Sequence, residues 1–328
     1  MGSSAASPPL PASPEFLAVF RAHADATATM TFARFMELAL YHPAVGYYRR
    51  DRPRVGYGAG TDFFTASTSG ALFGELVVAS CVHLLGPRAP ADYTFVEIGA
   101  EPDRAILRAV SHPFAAARTI AVGEPIALSG PCVVFSNELF DAQPCTRLVF
   151  RDHRWRELAV HLTTENRLVE VELPSDFQSP GSEGYHFDQP LAAAALAEQI
   201  AAQPWTGLFV AFDYGKTLRE LAEETPVGTV RAYSRHTQSN DLLAQPGEQD
   251  LTCHVCWDWL SDALTRHNFS PPQLQSQESF FIRHAAEFIA ATSTAEAGRF
   301  SQRKLSLLQL LSPAHFGQKF QVLHALRP

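Results

Sequence analysis

Four short phrases place an acid, an amide or a glycine where an apolar, strand-forming run ends: Glu97-Ile98-Gly99, Gly123-Glu124, Ser136-Asn137-Glu138 and Asp213-Tyr214-Gly215. In open α/β sheets, ligands bind beyond the carboxyl ends of the strands. An acid there can accept hydrogen bonds from ribose hydroxyls, and a glycine turn lets a ligand approach the backbone. A single acid at a strand end usually caps a turn or faces solvent. Four such ends on one sheet edge suit a nucleoside-like ligand.

Other chemistries lack their motifs. The GYGAG run at 56–60 follows no buried strand and precedes no Lys-Ser/Thr pair, so it is neither a P-loop nor a dinucleotide loop. There is no GxSxG elbow. The 13 histidines form no HExxH or HxH pair, and no metal is expected. Among the five cysteines only Cys253 and Cys256 form a CxxC. Reading TCHVCW as one strand puts them on opposite faces, as buried free thiols.

Composition narrows the partners. The chain has 328 residues, 46% hydrophobic and 18% charged, which is a globular composition. A net charge of −8 argues against nucleic acid or an anionic membrane and favours a cationic protein segment or a neutral small molecule. No apolar run reaches the ~18 residues of a membrane span. Residues 1–14 read as a disordered tail without the features of a signal or transit peptide, so a reducing cytoplasm is the expected location.

The elements that must position these residues follow from periodicity. Thr31 caps a helix with apolar Phe32, Phe35, Met36, Ala39 and Leu40, stopped by His42-Pro43. A second helix runs from about Leu72 to Leu85 and ends at Gly86-Pro87. YTFVEIG, ARTIAVGE, PCVVFSNE and GLFVAFDYG read as buried strands, with a short helix at about 105–110. TRLVFRD, RWRELAVHL and RLVEVEL alternate as an antiparallel meander. An Ala-rich helix spans 190–203, and helices fill much of 283–311. The expected organisation is a helical cap and loop over 15–90 and an α/β core over 91–328, with a β insertion at about 145–187.

A set of phrases in fixed order adds a resemblance. TFARFMELALYHPAVGYY, TDFFTASTSGALFGEL, TFVEIG, NELFDAQP, WRELAV, FDYG, GTVRAYSRH, QPGEQDLTCHV and HFGQKFQVL together resemble the MidA-like family of S-adenosylmethionine-dependent methyltransferases, from about residue 29 to 325. The resemblance implies a class I methyltransferase (Rossmann-like) core, S-adenosylmethionine as cofactor, and methylation of an exposed arginine in a protein partner. By it, Asn137, Glu138 and Asp141 lie near the reacting methyl. Carboxylates suit that task because they hold a guanidinium in bidentate pairs. Asp62, Phe63 and Thr65 match a loop over the cofactor, Glu97 and Gly99 the first strand's cofactor contact, and Glu124 the ribose acid. Asp213, Tyr214, Arg231, Tyr233, His236 and Asp250 match further phrases and are expected at the substrate, with Gly215, Gly247 and Thr252 in the same phrases.

The sequence also departs from the family pattern. Where the family runs GPGRGTL, this chain reads GAEPDRAI, keeping only the first glycine and adding Glu101 and Asp103. Few residues separate Gly123-Glu124 from NELFDAQP, although one βαβ crossover takes ~10–12 residues or more. Two readings of ARTIAVGE stay open: a second strand carrying Glu124 at its end, or a collapsed remnant. Two functions stay open as well: an active arginine methyltransferase, or a pseudo-methyltransferase that binds or assembles a partner without cofactor turnover.

Overall fold

The computed structural model describes residues 11–49, 70–100, 104–234, 236–298, 301–312, 317 and 320–328. In chain order the first elements are α1 (Pro14–His23), β1 (Thr29–Thr31), α2 (Phe32–Tyr41), α3 (Ala71–Leu85), β2 (Thr94–Ala100), β3 (Ala116–Ala121) and β4 (Gly130–Asn137). Then come β5 (Thr146–Arg151), β6 (Arg154–Leu162), β7 (Leu168–Pro174), β8 (His186–Gln189), α4 (Leu191–Ala201), β9 (Trp205–Asp213), β10 (Gly215–Lys216) and α5 (Leu218–Glu223). The chain continues through β11 (Arg231–Ser234), β12 (Thr237–Ser239), β13 (Asp250–Thr252), β14 (Val255–Cys256) and α6 (Trp257–Arg266). It ends with β15 (Gln273–Ser276), α7 (Gln277–His284), α8 (Ala286–Ala295), α9 (Gln302–Leu311) and β16 (Gln321–Arg327). Two compact units result: residues up to 63 with 142–192 and 219–254, and residues 64–141 with 193–218 and 255–328. Thus α3, grouped by sequence with the N-terminal part, belongs to the second unit, and α1 and α2 to the first.

The first unit carries the meander. Strands β5, β6 and β7 pair antiparallel in succession, β1 also lies on β6, and β8 lies on β5. Thr31 caps α2 as expected, its hydroxyl accepting from Arg34 N–H at 3.2 Å. A buried ionic cluster ties the sheet to the chain before β11. Arg147 pairs with Asp188 (3.2 Å) and Glu170 (2.7 Å), and Asp188 also accepts from Val230 N–H at 3.0 Å. The second sheet of this unit has the order β12-β11-β13.

The second unit is built on a six-stranded sheet of order β15-β16-β9-β4-β2-β3. Strands β3, β2, β4 and β9 are parallel to one another, and β16 runs antiparallel between β9 and β15. The inner strands β2, β4, β9 and β16 are largely apolar because both faces are covered, whereas the edge strands β3, expected from sequence to be buried, and β15 are largely exposed. Phe95, Val133, Phe135, Val210 and Phe212 pack on the face of α3, α7 and α9. Val96, Ile98, Val134, Phe209 and Ala211 pack on the face of α4 and α6.

The two crossovers differ from expectation. The short helix expected at 105–110 is a pair of turns, with Arg108 N–H on Ala105 O and Val110 N–H on Leu107 O, both 3.1 Å. Its Ile106, Leu107 and Val110 bury against α3. ARTIAVGE is β3, parallel to β2. The return to β4, residues 122–129, contains no helix and buries Leu128 on the opposite face. Chain spanning ~3.3–3.6 Å per residue covers a six-residue strand's length in that distance, so no helix is needed. The two crossovers therefore use opposite faces, and the direction of winding reverses between β2 and β4.

The CxxC is not one strand. β13 ends at Thr252, and Val255 begins β14, which pairs with β10 in the other unit. Cys253 and Cys256 are both buried free thiols.

On the α3 face, His284 and His324 meet edge to face at 5.3 Å, with His83 at 5.3 Å from His284 and Gln275 Nε2 at 3.2 Å from His324 Nε2. Burial, with nearby His and Arg283 charges, lowers both His284 and His324 from 6.5 to about 4. Such groups are neutral when folded, so the unfolded chain takes up protons first and stability falls as pH drops from 6.5 towards 4. His324→Gln should narrow the stability difference between pH 7 and pH 5 by about 2 kcal/mol in urea titrations. An unchanged difference would refute the assignment.

Candidate functional site

The reversal between β2 and β4 opens a crevice at the carboxyl edge of the second unit's sheet, the place where ligands bind in such folds. Its floor is the end of β2. Glu97 is 6% exposed and shares the α3 side with Phe95. Its Oε2 accepts from Ile106 N–H at 2.9 Å, pinning the crossover turn to the strand. Burial raises this carboxyl from 4.5 to about 7, against the lowering effect of the Ile106 bond. A raised acid is protonated first in the folded state, so its contribution to stability is lost as pH rises from 4.5 through 7. Glu97→Gln keeps an acceptor for Ile106 and removes the charge. Relative to wild type it should gain about 2–3 kcal/mol between pH 5 and pH 8 in denaturant titrations. A pH-independent difference would show that Glu97 is not a buried acid.

Gly99 bulges out of the β2–β3 ladder, where register shifts between Ile98 and Ala100. Its φ is +84°, and a Cβ there would meet Leu139 Cδ1 at 2.8 Å. Only glycine combines this conformation with that approach, so the β2 loop and the turn after β4 are seated against each other.

The end of β4 supplies Asn137, Glu138 and Asp141. Asn137 Nδ2 donates to Glu138 Oε1 at 3.0 Å. Asn137 Oδ1 is buried with no partner among the described residues. Glu138 has a left-handed φ of +52° and donates its N–H to Phe212 O at 2.9 Å, which turns the chain out of the sheet. Asp213, at the end of β9, is fully buried. Its Oδ2 accepts from Phe140 N–H (2.9 Å) and Asp141 N–H (3.4 Å), and its Oδ1 from Tyr214 N–H (2.8 Å). Burial pushes its carboxyl well above the usual carboxylate range. Tyr214 packs on Phe320, ring centroids 4.2 Å apart.

Glu124 lies at the end of β3. Its carboxylate accepts from Ala121 N–H at 2.9 Å, closing its own exposed turn beside Gly123. At the amino end of α3, Gly70, Ala71, Arg104, Ile106 and Arg108 line a cleft of about 360 Å³. The sequence reading missed this wall. Gly74, the one glycine inside the apolar α3, was its signal: a Cβ there would meet Ile106 O at 2.3 Å.

The remaining expected residues divide between the units. Arg231, Tyr233, His236 and Asp250 belong to the first, and Asp213 and Tyr214 to the second. In the first unit, Tyr233 lies opposite Asp250 across β11 and β13, and Asp250 accepts from Tyr48 OH at 3.0 Å. Arg231 donates to Val230 O at 2.7 Å, and exposed His236 takes φ +62° in the β11–β12 turn. Asp62, Phe63, Thr65, Glu101 and Asp103 lie outside the described residues. No cluster able to hold a metal occurs among the described residues.

Comparisons with known proteins agree with this architecture. Residues 91–273 match the profile of a family described as "Putative S-adenosyl-L-methionine-dependent methyltransferase". The chain is 24% identical over 300 residues to the protein arginine methyltransferase NDUFAF7, mitochondrial, of Danio rerio, covering 72% of this chain and 68% of that one. The fold is similar to that of a Burkholderia thailandensis protein bound to S-adenosyl-homocysteine. The TM-score is 0.83 at 23% identity, covering 98% of this chain and 95% of that one. A second, native crystal structure from Burkholderia thailandensis gives a TM-score of 0.79 at 22% identity over the same shares. The core is thus the class I methyltransferase fold.

Proposed function

Since the chain belongs to this family of S-adenosyl-L-methionine-dependent methyltransferases, we infer that it methylates an arginine side chain of a protein partner at the carboxyl edge of the β2–β4 crevice. The observation that carries this reading is the placing of two carboxylates, Glu138 and the buried Asp141, on the turn that follows β4 beside the winding reversal, with Asn137 Oδ1 buried and without a partner among the described residues. The Danio rerio relative, by name a protein arginine methyltransferase, supports the substrate class.

The residues present fit the cofactor. The Gly99 bulge breaks the β2–β3 ladder at the carboxyl edge, Asn137 Oδ1 needs a donor, and Glu124 stands at the β3 end where a ribose acid belongs. The Arg104 and Arg108 guanidinium groups beside the cleft suit a carboxylate. When bound, S-adenosylmethionine supplies an electrophilic methyl group. Glu138 and Asp141 orient the guanidinium so that one nitrogen lies in line for transfer. As that nitrogen gains its methyl it loses a proton, which the Glu138 carboxylate accepts. Asn137, donating to Glu138 Oε1, holds the orientation of the Glu138 carboxylate. An acidic chain of net charge −8 attracts a cationic segment.

The test is incubation with S-adenosylmethionine and arginine-containing peptides, read as methylarginine by mass spectrometry. Methylarginine formation that requires Glu138 supports the reading. Cofactor binding without transfer to any arginine would instead favour a partner-binding protein.

A further inference from the structure

The Asp-Tyr-Gly phrase reads from sequence as a substrate contact, but the structure gives its acid no route to a substrate. Asp213 is fully buried, and both its oxygens are taken by backbone N–H groups. We propose that Asp213 is a positioning residue that holds the 138–141 turn so that Glu138 and Asp141 keep their productive orientation; this rests on the methyltransferase reading above.

The need for such an anchor follows from the backbone. β4 ends at Asn137, opposite Phe212 of β9, and Glu138 N–H makes the last bond to β9. Beyond it the chain leaves the ladder, and the N–H groups of Phe140 and Asp141 have no strand partner. Buried N–H groups left without acceptors are costly. Asp213 is the next residue along β9 after Phe212, so the register delivers its carboxylate to them. The left-handed Glu138, a conformation that costs about 1–2 kcal/mol for a residue with a side chain, persists because this bond pair holds the turn closed. Leu139, seated over Gly99, fixes the other side of the turn against β2. One buried carboxylate thereby couples the ends of β9 and β4 and sets the turn that carries Glu138 and Asp141. A displacement of about 1 Å in such groups can cost on the order of 100-fold in rate.

The test is Asp213→Asn in the full chain, which keeps the shape and loses one acceptor oxygen. S-adenosylhomocysteine should bind within about threefold of wild type. kcat should fall about 100-fold, and amide exchange at Phe140 and Asp141 should accelerate at least about tenfold. Unchanged kcat and exchange would overturn the proposal. So would a raised peptide KM with unchanged exchange, which would make Asp213 a substrate ligand. If the variant does not fold, exchange in the wild-type chain decides: protected Phe140 and Asp141 amides support the anchor, and loop-like rates refute it. If wild type transfers no methyl group, the functional reading fails, while the exchange comparison still judges the anchor.

Discussion

Glu138→Gln should lower methyl transfer by about 10²–10⁴-fold while leaving S-adenosylhomocysteine affinity and thermal stability unchanged. Glutamine keeps the oxygen that accepts from Asn137 Nδ2 and keeps the demand for φ +52°. What it removes is the charge that, in the proposed reaction, grips a guanidinium and takes its proton. A charge-assisted bidentate pair is roughly twice as strong as its neutral counterpart, and a neutral amide is no base at ordinary pH. The companion Glu138→Gly separates chemistry from folding. Glycine relieves about 1–2 kcal/mol of left-handed penalty but adds about 0.5–1 kcal/mol of unfolded-state entropy. That variant should match or slightly exceed wild-type stability while losing turnover. Steady-state kinetics beside a urea titration checks both. Full activity in Glu138→Gln would remove Glu138 from the reaction.

Gly74→Ala should destabilise the second unit by about 1–3 kcal/mol, opposite to the usual effect of the substitution. In a helix interior, Gly to Ala ordinarily gains about 0.5–1 kcal/mol. Here the new methyl would lie 2.3 Å from the carbonyl oxygen of Ile106 and 3.0 Å from Val110 Cγ2. The oxygen belongs to backbone, and Ile106 is held to β2 by its N–H bond to Glu97. Neither partner can yield cheaply, so α3 must move away or the Glu97–Ile106 bond must lengthen. Overpacking therefore wins over helix propensity. Loss of stability with weakened S-adenosylhomocysteine binding is expected, because Ile106, which the new methyl would displace, lines the cleft. A gain in stability would show that the turn gives way freely.

Much of this was legible in the sequence. TFVEIG, PCVVFSNE and GLFVAFDYG are short, apolar and without alternation, as strands covered on both faces are. The TRLVFRD to RLVEVEL stretch alternates, and it became the antiparallel meander. The strand ends carrying Glu97, Glu124, Asn137 and Asp213 do share one edge, since β3, β2, β4 and β9 run parallel. Three features were hidden. Local periodicity suggested a helix near Ala105, but the residues there turn so that Ile106 can reach Glu97, a partner nine residues earlier in the chain. The short 122–129 segment looked insufficient for a crossover because helical crossovers set the expectation, whereas extended chain covers more distance per residue. The burial of Asp213 depends on the β4–β9 register and on the turn after β4, neither of which is encoded in the Asp-Tyr-Gly phrase itself.

The claim on which the rest depends is that the β2–β4 edge holds S-adenosylmethionine. Calorimetric titration of the full chain with the cofactor, paired with thermal melts, tests it directly. Binding stabilises the native state by RT ln(1 + [L]/Kd), about 2.7 kcal/mol at a hundredfold excess over Kd. The account predicts measurable heat and a raised melting temperature. No heat and no shift at millimolar cofactor would contradict it.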